Sequence, residues 1–175
     1  MYNDRTTQLH DAIVDLFHRT ISRFPPTHGP DPRVLAPNSV GRVGEYLVQL
    51  GYLTPRELRR VLHEATPPLP HPAPLGYRLV TQHLVPPPVI TAVLLQQFLD
   101  RLTIEPVHAA RFLGEQLLVE ARLEPIQLAT VLQEQLLGSR DGPWVRLGEL
   151  IVRHDWLDPL TITAAVEHIH RAERT

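Results

Sequence analysis

The sequence predicts an all-α protein, and three observations support this class. Apolar residues recur at intervals of three and four along the 175-residue chain, whereas the period-two alternation of a half-buried strand is absent. One stretch of 24 residues recurs four times, and the four copies align without gaps. Every copy carries a proline at the same place, and proline suits the first turn of a helix.

The four copies span residues 42–65, 74–97, 112–135 and 146–169, and we number the places within a copy from its first residue. With glycine at about 7% of residues in proteins, its fourfold occurrence at one place is not expected by chance. The apolar places agree as well, at the second and the seventeenth place among others. The third place is Gly44, Gly76, Gly114 and Gly148; the fourteenth is Pro55, Pro87, Pro125 and Pro159; the seventeenth is Leu58, Ile90, Leu128 and Ile162.

Each copy is predicted to form a helical hairpin. Its first helix begins near the glycine and runs for about two turns, and its second helix begins at the proline, whose fixed φ favours that position. Thr54 and Asp158 are suitable N-caps, and Thr54 with Glu57 matches a capping box. Gly51 is suited to close the first helix of copy 1.

A hairpin of this length cannot bury its apolar face alone, so neighbouring copies are expected to pair. We therefore predict a first module over residues 42–104 and a second over 105–175, with non-helical connectors inside each pair. The second helix of copy 2 is expected to continue to residue 104. A further helix is expected to start at Glu105–Pro106 and to run to residue 120.

Residues 1–41 lie outside the repeat. Apolar residues from Leu9 to Phe24 recur at helical spacing, which predicts one amphipathic helix, followed by a proline-rich linker. This helix either packs on the first module or is presented to a partner. Packing is the favoured alternative, because amphipathic helices usually bury their apolar stripe in their own chain.

Composition excludes several functions. The formal net charge of -2 gives no overall basic field, so DNA and RNA are not expected as partners. The chain has no cysteine, which excludes thiol nucleophiles and zinc–thiolate sites. It also has no lysine, so it lacks the Walker A loop of a motor ATPase. No stretch approaches the roughly 20 apolar residues of a membrane span and no signal peptide is evident, so a cytoplasmic location without membrane insertion is expected.

Neither a metal site nor a catalytic site is predicted. His168 and His170 point to different faces of a helix, and His10 and His18 are too far apart to share an ion. No nucleophile, base and orienting group can be grouped, so we expect neither enzyme activity nor a cofactor. Three copies have a glutamate next to the glycine. Its negative charge in the first turn interacts favourably with the helix dipole, which indicates a structural role. These glutamates are Glu45, Glu115 and Glu149.

The pattern of arginine-leucine-glycine, paired apolar residues and a closing glutamine resembles the MshEN family. This family is the N-terminal domain of type II secretion and type IV pilus assembly ATPases and occurs also in stand-alone bacterial signalling proteins. The resemblance covers residues 42–169 as two tandem domains, and it implies small helical bundles. The best-known members of the family bind cyclic di-GMP through both motifs of a pair.

Carried over place by place, the resemblance implies a candidate cyclic di-GMP site. Arginine and glutamine would contact phosphate or guanine, and the glycine would let a phosphate approach the helix end. The match is partial, because Pro74 and Phe112 replace two of the arginines and no copy keeps both arginine and glutamine. The candidate residues are Arg42, Gly44, Gln97, Arg111, Gly114, Gln135, Arg146 and Gly148, where Arg111 is a displaced substitute for arginine at the first place.

Two functions follow from these observations. The glycines persist in copies that lack the arginine, which favours helix packing as their role. The leading hypothesis is therefore a non-catalytic regulatory or adaptor protein. Its partners would be proteins of a type IV pilus, a type II secretion system or a related envelope machine, such as an assembly ATPase or its regulators. The alternative is a cyclic di-GMP receptor, for which the second module, with Arg111, Gln135 and Arg146, is the better candidate.

Overall fold

The computed structural model describes residues 2–30, 40–64, 73–104, 110–138 and 145–172. Its regular structure over these ranges is entirely α-helical, which confirms the predicted all-α class. The helices are α1 (Tyr2–Arg23), α2 (Val43–Gln49), α3 (Pro55–His63), α4 (Leu75–Thr81), α5 (Pro87–Ile104), α6 (Leu113–Val119), α7 (Pro125–Gly138), α8 (Leu147–Arg153) and α9 (Pro159–Ala172).

The helix starts fall at the same places in all four copies. The short helices α2, α4, α6 and α8 begin at the second place, and α3, α5, α7 and α9 begin at the prolines. Thr54 and Glu57 form the predicted capping box, with Thr54 N donating to the Glu57 carboxylate at 2.8 Å. This backbone hydrogen bond, with that of the Thr54 hydroxyl, holds the pKa of Glu57 below its usual value. Asp158 Oδ1 likewise accepts from Thr161 N at 3.0 Å, as predicted for an N-cap.

The helix predicted to run from Glu105–Pro106 to residue 120 is not continuous. Residues 110–112 are not helical, and Phe112, with φ -127° and ψ 155°, is the N-cap of α6. The Glu115 carboxylate accepts from Arg111 N at 2.9 Å and so caps the chain at this point. Residues 105–109 lie outside the described ranges, as do 31–39 in the linker and most of the two predicted connectors, at 65–72 and 139–144.

Each hairpin turns at its tenth place, where the backbone is left-handed. The φ angles are 82° at Gly51, 55° at His83, 53° at Ala121 and 55° at Asp155. In copy 1, Gly51 N donates to Val48 O at 3.0 Å and Tyr52 N to Leu47 O at 2.8 Å, which is the pair of bonds of a Schellman motif. The other copies form the same pair of bonds. The predicted cap at Gly51 is thus confirmed, and three equivalent turns form without glycine.

Helices of neighbouring hairpins pack crosswise. In copies 1 and 2, α2 contacts α5 and α3 contacts α4; in copies 3 and 4, α6 contacts α9 and α7 contacts α8. The helices α5 and α7 then pack against each other in the middle of the chain. Because α5 contributes buried residues to both apolar clusters, Val89 and Ile90 to one and Ala92 and Phe98 to the other, the module boundary after residue 104 stays a prediction.

The N-terminal helix packs within the chain, which is the favoured of the two alternatives. Helix α1 lies against both α5 and α7, and its Ile13 and Leu16 are buried. Phe24 directly follows α1, and its carbonyl oxygen accepts from the Tyr52 hydroxyl. Burial raises the pKa of Tyr52. His28 N donates to Gly51 O at 2.9 Å. The start of the linker is thereby attached to the turn of copy 1.

Two polar contacts connect α5 to the short helices, and one of them is fully buried. Arg101 of α5 pairs with Glu115 of α6, and both are buried. The Tyr46 hydroxyl of α2 donates to Asp100 of α5. Burial and this hydrogen bond raise the pKa of Tyr46 well above its usual value. No helix in the described ranges is both long enough and apolar enough to cross a membrane.

The turns give a stability prediction. Replacing Ala121→Gly removes the steric cost of a left-handed alanine and should stabilise the fold by about 1 kcal/mol. Gly51→Ala should be destabilising by more than this, because the added Cβ would lie 2.3 Å from His28 O. Urea unfolding followed by circular dichroism measures both effects.

The control for Ala121→Gly is Ala164→Gly in the exposed interior of α9, which should lower stability by about 1 kcal/mol. Equal loss of stability in Ala121→Gly and Ala164→Gly would contradict the left-handed turn in copy 3.

Candidate functional site

The third-place glycines lie where the two helices of a hairpin come closest. A Cβ added at Gly114 would lie 2.5 Å from Leu128 Cδ1, and one at Gly44 would lie 2.7 Å from Leu58 Cδ1. At Gly148 the nearest atom would be Ile162 Cγ2, at 2.8 Å. These partners are all seventeenth-place residues. The absence of a Cβ therefore permits the short helix to pack against the second helix of its own hairpin.

The same glycines also contact the neighbouring hairpin of their pair. A Cβ at Gly114 would lie 3.3 Å from Leu147 Cδ2, and one at Gly148 would lie 3.5 Å from Leu113 Cδ2. Gly44 has the corresponding contact with Leu75, at 3.3 Å. Leucine side chains thus occupy the Cβ side of each of these glycines. The resemblance to the MshEN family implied that a phosphate approaches the helix there.

The two candidate glutamines connect one hairpin to the next. Gln97 Nε2 donates to Gly41 O at 2.5 Å, and Gln135 Nε2 donates to Val145 O at 2.7 Å. Gly41 and Val145 directly precede the first-place arginines of copies 1 and 4. In each predicted module the structure therefore brings the retained glutamine of one copy beside the retained arginine of the other.

The candidate arginines occupy two kinds of position. Arg42 and Arg146 are the exposed N-caps of α2 and α8, and neither guanidinium pairs with a carboxylate of the described ranges. Arg42 N donates to Glu45 at 2.6 Å, so the fourth-place glutamate acts as a helix cap here as it does in copy 3. Arg111 is exposed and lines a large cleft, whereas Gln135 lines a separate, smaller cavity beside Val145.

This large cleft lies at the start of copy 3, between α1, the α6–α7 hairpin and the end of α9. It is open to solvent and has a volume of about 2160 Å³. Leu9 and Leu16 of α1 line it, as does Leu123. Three large apolar side chains along it are unusually exposed: Phe112 at 65%, Val119 at 44% and Ile126 at 55%.

The three exposed side chains occupy the first, eighth and fifteenth places of copy 3. Arginine, proline, glutamine or threonine stands at most of the equivalent places in the other copies, and only Leu160 is apolar and not proline. This surface was not among the predicted sites, although the contrast between the copies at these three places indicates it. The equivalent residues are Arg42, Pro74 and Arg146; Gln49, Thr81 and Arg153; and Arg56, Pro88 and Leu160.

The rim of the cleft carries charges of both signs. On α1, Arg19 pairs with Asp15 at 2.6 Å. On the opposite side, Glu120 accepts from Gln116 at 2.7 Å and lies 3.1 Å from His168 Nδ1 of α9. The described part of the chain contains no group of three or more histidine and carboxylate side chains that could hold a metal ion.

Comparison with known proteins adds no family to this description. No protein-family model matches the chain, and no match is found among curated proteins or solved structures. The resemblance to the MshEN family therefore depends on the motif residues of the four copies.

The glycine contacts predict unequal effects of adding a Cβ. Gly114→Ala should lower the free energy of unfolding by about 1–2 kcal/mol, because overpacking against buried Leu128 outweighs the helix propensity gained. Gly76→Ala should cost less, since its nearest atom, Ile90 Cγ2, would lie 3.1 Å away. Thermal and urea unfolding compare the two variants. If Gly114→Ala is as stable as the parent protein, packing is not what requires the glycine.

Proposed function

We propose that the protein is a cytoplasmic, non-catalytic adaptor that binds a partner protein in the cleft at the start of copy 3. The observation that carries this proposal is the exposure of Phe112, Val119 and Ile126 along one open cleft. Clustered large apolar side chains on a protein surface are typical of interaction sites, whereas single ones are common everywhere. An aromatic side chain such as Phe112 is also the residue type that anchors protein interfaces.

The position of the cleft within the repeat supports the same proposal. The second module has two related positions, each made of the start of one copy and the end of the other. One has Arg146 with Gln135, and the other has Phe112 with Ile169, which also lines the cleft. Exchange of both polar residues for apolar ones favours a protein side chain over a charged nucleotide.

The class of machine comes from the resemblance to the MshEN family. That family forms the regulatory end of pilus and secretion ATPases, and this chain has no lysine with which to form a Walker A loop. We therefore infer that these 175 residues do not themselves form a motor, and that they act on an assembly ATPase or on one of its regulators.

The adaptor proposal predicts specific binding to a purified assembly ATPase of the type IV pilus or type II secretion system of the same organism. Phe112→Arg, Val119→Gln and Ile126→Arg replace the apolar residues with those of copy 1, which the same hairpin already accommodates. Together they should weaken binding by at least about thirtyfold, as expected when interface anchors are lost. Surface plasmon resonance measures the affinity.

The matched control is Leu160→Arg, since Leu160 is 82% exposed and stands at the same place of copy 4. It should leave the affinity unchanged, and unfolding temperatures of all variants verify folding. Absence of binding to each ATPase, or equal weakening by Leu160→Arg, would count against the adaptor.

A cyclic di-GMP receptor is the second candidate, favoured by the retained arginines and glutamines that meet at the starts of α2 and α8. It is the weaker one, because both glutamine amides already donate to backbone carbonyls and leucines fill the space beside the glycines. Each missing bidentate contact to a base also costs about 1–3 kcal/mol.

Calorimetric titration separates the two candidates. We expect no heat from cyclic di-GMP at ligand concentrations up to about 100 µM, a range that would detect any binding of regulatory strength. Micromolar binding that is lost in Arg146→Ala and kept in Arg171→Ala would reverse the order of the candidates, since both arginines are exposed and Arg171 does not line the cavity of Gln135.

A further inference from the structure

We propose that the outer face of α3 binds an acidic helical segment of a protein partner. This outer face consists of Arg56, Arg59, Arg60, Leu62 and His63, and all five side chains are exposed. The proposal adds a second contact surface to the adaptor function, and it is independent of the cleft.

Helical geometry places the cations of α3 together. Positions separated by three, four and seven residues share one side of a helix, so Arg56, Arg59, Arg60 and His63 lie side by side. The opposite side, with Leu58 and fully buried Val61, packs into the apolar cluster of copies 1 and 2. Leu62 is 53% exposed next to the cations, so the outer face combines positive charge with an apolar contact.

The carboxylates of copy 1 leave much of this positive charge without a partner. Glu57 is held by Thr54 and lies 3.4 Å from His28. Glu64 accepts from Gln82 at 2.6 Å and lies 3.7 Å from Arg60.

Within the described ranges, Arg56 and Arg59 have no carboxylate within ion-pair distance, and Arg59 Nε donates only to Pro55 O of its own helix, at 3.3 Å. These two guanidinium groups are therefore available to a carboxylate from outside.

The other copies show that the hairpin does not need these cations. None of the twelve equivalent places carries arginine, lysine or histidine. In copy 2 the places of Arg59, Arg60 and His63 are taken by buried residues of α5, so the same face is a packing surface there. The equivalent residues are Pro88, Thr91, Ala92 and Leu95; Ile126, Ala129, Thr130 and Gln133; and Leu160, Thr163, Ala164 and Glu167.

An acidic protein segment fits this outer face better than a nucleic acid does. The three arginines and His63 extend over about two helical turns, roughly 10 Å, within a chain of net charge -2. A phosphate backbone offers no apolar partner for Leu62, whereas a helix with glutamates three and four residues apart presents carboxylates beside an aliphatic side chain. Arginine also binds carboxylates with two parallel hydrogen bonds.

The probe is a fluorescein-labelled helical peptide with glutamates at positions i, i+3, i+4 and i+7 around one leucine. Fluorescence anisotropy measures its affinity for the full chain at low and at physiological ionic strength. We expect it to bind at least about tenfold tighter than the same peptide with glutamines, and more weakly as salt increases.

The variant Arg56→Glu/Arg59→Glu should lose at least about tenfold in affinity, and a lysine version of the peptide should then bind the variant better than the parent protein. The control Arg122→Glu/Arg153→Glu makes the same charge change at exposed arginines elsewhere and should have little effect.

Three results would overturn the proposal: equal loss in the control, no difference between the glutamate and glutamine peptides, or tighter binding of a DNA oligonucleotide that Leu62→Ser does not weaken. Binding of the assembly ATPase is measured separately with the Phe112 variants. Loss there, with unchanged peptide binding, contradicts only the cleft, and the reverse contradicts only the outer face of α3.

Discussion

A close contact between the third-place glycine and the seventeenth-place residue determines how the two helices of a hairpin pack. Because Gly44, Gly114 and Gly148 lack a Cβ, a leucine or isoleucine of the second helix reaches the first turn of the short helix. That contact sets the distance between the two helices. It thereby positions the start of each short helix against the neighbouring hairpin. The two glutamine hydrogen bonds and the cleft lie at such helix starts.

The buried pair of Arg101 and Glu115 connects α5 of the first pair of hairpins to α6 of the second. Removing one member of such a pair leaves an uncompensated buried charge, which costs about 3–5 kcal/mol. The same carboxylate caps the start of α6 through Arg111 N. Glu115 therefore joins α6 to α5 and also ends the extended segment that carries Phe112. The exposure of Phe112 in the cleft follows from this local capping.

Features encoded by neighbouring residues could be predicted, and those that depend on distant contacts could not. The prolines, Thr54, Asp158 and Gly51 fixed helix ends, because caps and turns are local. The turns at His83 and Ala121 carry no glycine, so the residue most typical of a left-handed backbone does not mark them. The prediction of a continuous helix up to residue 120 was wrong, because the Glu115 carboxylate, which also pairs with distant Arg101, caps a new helix start beside Phe112. For the candidate site, motif residues alone did not reveal that the glutamines bond to backbone carbonyls.

The copies differ in residue type at places that take no part in the contact between the third and seventeenth places. The third and seventeenth places hold the same kind of residue in every copy, whereas the first, eighth and fifteenth vary between charged, polar and apolar. Copy 3 is apolar at all three of these places, and copy 1 has arginine at two of them. Burying apolar surface stabilises a protein by about 25 cal/mol for each Å² removed from water, and side chains left exposed do not contribute this free energy. Copy 1 forms the same hairpin with polar residues at these places, so the hairpin does not require the exposed apolar side chains of copy 3. Their exposure therefore supports the proposed binding of a partner protein in the cleft.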